Sequence, residues 1–125
     1  MSNSEEQFQL RISIRSTDGI PHIVLAGECD AFTASFAHAA ISSLISEGYR
    51  GIIVDISRLN FMDVAGFHAL DDCCRQITES GGKLLLVNPG EYVEAIYDIL
   101  REKESCVIVK SVDEAMALLA PPTGA

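Results

Sequence analysis

From Phe8 to Arg15 (FQLRISIR) apolar and polar residues alternate, the two-residue period of a strand with one face on a core and the other in water. The pattern predicts an edge or antiparallel strand. Asp18-Gly19 then supplies a tight-turn signal, and IPHIVLAGE reads as the returning arm of a hairpin, with Pro21 tolerable near its start. Beyond it the period changes. Between Ala31 and Glu47 the apolar residues Phe32, Phe36, Ile41, Leu44 and Ile45 recur at helical intervals, with Gly48 as a stop, so a first helix carrying that stripe is predicted.

RGIIVDIS and the KLLLV of Lys83 to Val87 are short, continuous apolar runs, the mark of strands covered on both faces. Between them Phe67, Leu70, Cys74 and Ile77 recur at spacings of three and four residues, Asp63 stands at the N-cap position and Gly81-Gly82 ends the helix. After Asn88-Pro89-Gly90, a third stripe comprises Val93, Ile96, Tyr97 and Leu100, with Glu91, Glu94, Asp98 and Glu102 on the wet side. CVIV at Cys106 to Val109 is a last short strand. Ser111 and Glu114 form a capping box that opens a fourth helix. The order β-β-α-β-α-β-α-β-α predicts an α/β fold, a mixed sheet of about five strands flanked by about four helices with mostly right-handed crossovers. The 125 residues suit one domain, expected over 8–119, with flexible ends at 1–7 and 120–125.

Composition narrows the function. Although 48% of the residues are hydrophobic, no charge-free run reaches the roughly 18 residues of a membrane span, and MSNSEEQ lacks the basic-then-apolar pattern of a secretory signal. A soluble cytoplasmic protein without membrane insertion is expected. The net charge of −9 repels phosphate backbones, which argues against direct nucleic-acid binding. Cys29, Cys73, Cys74 and Cys106 form no CxxC pair, so they read as small buried hydrophobes, with the vicinal Cys73-Cys74 pair as a weak candidate for oxidation. No metal or cofactor is expected. His22, His38 and His68 share no ligand spacing.

The most polar constellation is GECD (Gly27 to Asp30) together with Asp63. Both stretches follow strands and precede helices, where α/β sheets collect ligands and partners. Asp30 and Asp63 read first as helix N-caps. A carboxylate pair also suits acid/base or divalent-metal chemistry, but no nucleophile, Gly-rich phosphate loop or Ser/His/Asp set accompanies it, so no catalytic residue is assigned. Val64, with His68 one turn on and Asp71 and Asp72 beyond, falls off the Phe67-Leu70-Cys74-Ile77 stripe. An exposed apolar residue ringed by acids and a histidine suits a protein contact.

GECD, IIVDISRLNFMD running into DVAG, GGKLLLVNP and VKSVDEAMALL together resemble the STAS domain of anti-sigma factor antagonists, across roughly Phe8 to Leu119. The resemblance implies the same mixed-sheet fold, no enzymatic activity, and a partner that is an anti-sigma factor, often a serine kinase of the histidine-kinase-like ATPase type. Family members are switched off by phosphorylation of the hydroxyl after the Asp of a D-S/T-x-G turn. By that correspondence Asp30, Asp63 and Gly66 match family positions, whereas the acceptor position is Val64 and the next is Ala65, neither of which can take phosphate. The matched positions, with Thr33 just after GECD and His68 on the Val64 face, give an expected partner-binding surface of Asp30, Thr33, Asp63, Val64, Ala65, Gly66 and His68 that lacks the phospho-switch. Three consequences stand open: an antagonist governed by abundance or competition, a scaffold or subunit of a multi-protein signalling or transporter-associated complex that contacts other STAS proteins, or a relocated acceptor at Thr33 or Ser35.

Overall fold

In a computed structural model, which describes residues 9–102 and 106–119, the hairpin pairs β1 (Leu10–Thr17) antiparallel to β2 (Ile20–Cys29). Phe8 and the expected ends at 1–7 and 120–125 lie outside the described residues. Asp18 and Gly19 both take positive φ, 53° and 80°, the geometry of a two-residue turn whose twist matches the strands. The remaining elements are α1 (Ala34–Ser46), β3 (Gly51–Met62), α2 (Val64–Glu79), β4 (Lys83–Val87), α3 (Glu91–Leu100), β5 (Val107–Val109) and α4 (Val112–Leu119). The sheet order is β1-β2-β3-β4-β5, with every pair after the first parallel. This is the predicted mixed sheet.

Each parallel step moves one place in the same direction, so crossovers of a single hand put their helices on one face. Accordingly Ile23, Leu25, Ile52, Val54, Ile56, Leu84 and Leu86 pack with residues of α1, α2 and α3 in one core, which includes an edge-to-face contact of Phe67 with Tyr97 at 4.9 Å. The alternate side chains Ile53, Leu85, Val87 and Val109 meet Ala115 of α4 on the other face. At about 1.5 to 3 kcal/mol for each fully buried large aliphatic side chain, these two layers supply the main folding drive. Ser111 caps α4 through the Glu114 N–H, and the Glu114 carboxylate accepts from the Lys110 N–H, one residue earlier than a reciprocal box requires.

Three expectations are corrected. Phe32 and Phe36 are 85% and 64% exposed, and the buried side of α1 is Ala34, Ala37, Ile41 and Ile45, because small residues let the helix lie close to its neighbours. Asp71 is 7% exposed, where a wet position was predicted; its Oδ2 accepts from Arg75 at 3.2 Å, one turn along the helix. Cys74 and Cys106, 32 residues apart in sequence with Cα atoms 5.5 Å apart, form a disulfide, whereas Cys73 is buried and free. Burial, with Asp72 nearby, pushes the Cys73 thiol up to about 12, so the vicinal pair is not the reactive one.

Candidate functional site

The site is built where β2 and β3 end. β3 runs longer than the apolar run that predicts it, and its register against β2 slips twice, between Val24 and Ala26 and between Gly27 and Glu28. At the first slip the Asp55 carboxylate turns back to accept from the Ser57 N–H at 2.9 Å and the Ser57 hydroxyl at 2.7 Å, a local bond that holds the extra residue. The extended β3 brings Asp63 beside the end of β2. There the Asp63 N–H donates to the Cys29 carbonyl at 3.3 Å.

Asp63 then caps α2. Its backbone is extended, its Oδ1 accepts the Gly66 N–H at 3.0 Å, and its carbonyl takes the Phe67 N–H at 2.9 Å. A side chain at Gly66 would run into the Cys29 carbonyl oxygen and the Met62 side chain, so only glycine lets the helix start this close to the strand ends. Val64, held in the first turn, is 52% exposed, with Ala65 half-buried beside it and His68 exposed one turn along.

Asp30 works one turn earlier than predicted. Its Oδ1 accepts from the Phe32 N–H at 2.9 Å and the Thr33 N–H at 3.1 Å, capping the turn before α1 rather than α1 itself. The Thr33 hydroxyl accepts from the Asp30 N–H at 2.9 Å and donates to the Glu28 carbonyl at 2.8 Å. Thr33 is therefore buried and bonded, while Ser35 is exposed. This tight turn directs Phe32 outward. Between the two carboxylate-capped turns lies Cys29, whose thiol is pushed up to about 12 by burial and by the charges of Asp63 and Asp30. It is no nucleophile. Each carboxylate serves backbone N–H groups, which is the chemistry of a fixed surface rather than of proton transfer.

Sequence reasoning missed much of the apolar area around Val64. Phe32 and Phe36 stand exposed just before and in the first turn of α1. On the α3 side Val64, Phe61, Tyr92, Ile96 and Ile99 line a groove of about 240 Å³, in which the Phe61 and Tyr92 rings stack at 5.9 Å. Tyr92 and Ile99 fall outside the buried stripe of α3 in the sequence, and that offset was the available signal. His38 of α1 also pairs unexpectedly with Asp72 of α2 at 2.7 Å, and Asp72 meets Arg75 at 3.6 Å, a surface network tying the two helices together.

Comparison with known proteins gives a consistent picture. A sequence model of the STAS domain matches residues 11–115. The chain is similar to BtrV of Bordetella bronchiseptica, provisionally described as an anti-sigma factor antagonist, at 21% identity over 90 residues, 72% of this chain and 78% of that one. Its fold is similar to an anti-sigma factor antagonist from Mycobacterium paratuberculosis, with a TM-score of 0.79 at 17% identity over 88% of this chain and 93% of the other. It is also similar to the Bacillus cell fate determinant SpoIIAA solved in its phosphorylated form, with a TM-score of 0.67 at 23% identity over 88% and 100% of the two chains.

Proposed function

The chain belongs to the STAS domain family, and on that premise we propose that it is a protein-binding regulator of the anti-sigma factor antagonist type, which engages its partner through the start of α2 and is not switched by phosphate there. One observation carries the reading: Val64, an apolar side chain without a hydroxyl, is half exposed at a helix start held rigid by the Asp63 cap and the tight Gly66 approach. Buried apolar area at a contact is favourable, whereas a phosphate at the same spot would add about −1.5 to −2 charges to an already acidic surface. With valine in place, association depends on the concentrations of the two proteins and their competitors. The partner is an anti-sigma factor, or a serine kinase of the histidine-kinase-like ATPase type. Thr33, enclosed in its turn, makes a poor substitute acceptor; Ser35 is the exposed hydroxyl that remains.

The test is reconstitution with the ATPase-type anti-sigma factors of the same organism in the presence of Mg-ATP. A complex that forms without phosphate uptake supports the reading. Val64→Ser should then acquire phosphate, and Val64→Glu should lose the complex while its melting temperature stays unchanged. Phosphate uptake by the unaltered chain, or an undiminished complex with Val64→Glu, would overturn it. The exposed Phe32 and Phe36 favour a second reading, a scaffold that binds more than one protein, and recovery of other STAS proteins on a surface sensitive to Phe36→Ser would select it.

A further inference from the structure

The groove between the start of α2 and the outer side of α3 has a chemistry more specific than exposed apolar area. Its walls are Phe61, Val64, Tyr92, Ile96 and Ile99, and among the described residues the one charged group lining it is Asp63. Ile99 is 76% exposed, so a large aliphatic side chain stands in water with nothing of the described chain over it. On α3, Glu91 and Asp98 stand at i and i+7 on the side adjoining Tyr92 and Ile99, so acids border the α3 edge of the groove, Asp98 with Arg101 at 3.9 Å, while Asp63 is the acid on the α2 edge. Among the described residues no lysine or arginine lines it.

These features restrict the occupant. A wall with almost no donors or acceptors cannot satisfy the backbone of an extended segment, whose N–H and C=O groups would be buried unpaired. A helix satisfies its own backbone. The acidic edges and the net charge of −9 favour positive flanks and repel negative ones. Resting on the reading of the Val64 face as a partner surface, we infer that this groove takes an amphipathic helix of the partner, with aliphatic side chains facing Phe61, Tyr92 and Ile99 and with lysine or arginine along its flanks. The α3 wall spans Glu91 to Leu100, about 15 Å at the helical rise, so two to three turns of the occupant make contact, with anchors spaced i, i+3 or i+4, and i+7. In this arrangement Val64 is one end of a docking site, and α3 supplies most of its length.

Two synthetic helical peptides of about 18 residues, sharing one leucine face but flanked by lysine in one and glutamate in the other, test the inference against the full chain labelled for NMR. The lysine peptide should shift the amides of Val64, Tyr92 and Ile99 and weaken about tenfold or more between roughly 0.05 and 0.5 M salt, and the glutamate peptide should bind at least about tenfold more weakly. Ile99→Asn should weaken the lysine peptide by about tenfold, and Ile99→Leu should retain it. Equal binding of the two peptides, shifts confined to the Phe32 and Phe36 side, or indifference to Ile99→Asn would overturn the inference. The partner complex separates the two readings: loss with Val64→Glu but not with Ile99→Asn removes the groove and leaves the functional reading intact, whereas indifference to both removes both.

Discussion

Asp30 and Asp63 do the same job in two different ways. Both follow the end of a strand, both direct a carboxylate at backbone N–H groups, and the two turns meet at Cys29. Asp63 opens its helix directly: one side-chain bond to Gly66, then α2, with Val64 pushed to the surface and Phe67 turned into the core. Asp30 instead closes a separate turn, sealed by Thr33, before α1 begins, and the aromatic residue in that turn, Phe32, is thrown out into water. The lesson is that a capping residue does not by itself place the helix phase. The backbone bonds around it decide which neighbours are buried.

The contrast is most exposed to failure at Gly66. Gly66→Val should cost about 3 kcal/mol or more, a fall of roughly 10 °C in melting temperature, because the added carbons meet a backbone carbonyl that cannot retreat. A melt unchanged by this substitution would mean that the two turns are not held together through Cys29. The caps come next. Asp30→Ala strands more donors than Asp63→Ala, so urea unfolding should show losses of about 2 and about 1 kcal/mol respectively. The reverse order would reassign the sturdier junction.

That comparison is sharpest above pH 7, because His22 adds a slope of its own. Burial holds its imidazole below the usual value near 6.5, and Arg15 adds to the effect, against an opposing pull from Asp55 at 3.9 Å. The unfolded chain therefore binds the proton more readily. Stability should be full above about pH 6.5 and drain away as the pH falls below it, and His22→Gln should flatten that slope in denaturation measured across pH. The smallest effect belongs to Phe32→Ser, within about 0.5 kcal/mol by the same unfolding measurement, whereas Phe67→Ala should cost about 3 to 5 kcal/mol.

The element order was legible because each period is long enough to read: Ile52 and Val54 against Ile53 alternate across the sheet, and Phe67, Leu70, Cys74 and Ile77 all reach the core. Val64 was legible as exposed for the same reason, by falling off that stripe. Phe32 and Phe36 were misread because hydrophobic periodicity weights large side chains, while the contact of α1 is made by Ala34 and Ala37, whose small size sets the packing distance. Asp71 was misread because periodicity counts a carboxylate as wet, whereas here it is buried with its Oδ2 paired to Arg75 one turn along. The Cys74–Cys106 bridge joins chain segments far apart in sequence, and local spacing carries no trace of it; of the groove, only the α3 wall left a mark, in the offset of Tyr92 and Ile99 from the buried stripe.

That bridge has a mechanical meaning. It closes a covalent ring that contains β4 and α3, so a pull applied at the two ends of the chain passes from α2 through sulfur to β5 and bypasses everything between. With the bridge intact, the fully stretched chain is shorter by roughly 110 Å, the contour of the 32-residue separation at about 3.4 Å per residue. Under load the hairpin at the sheet edge can unzip while the α3 wall of the groove carries no tension.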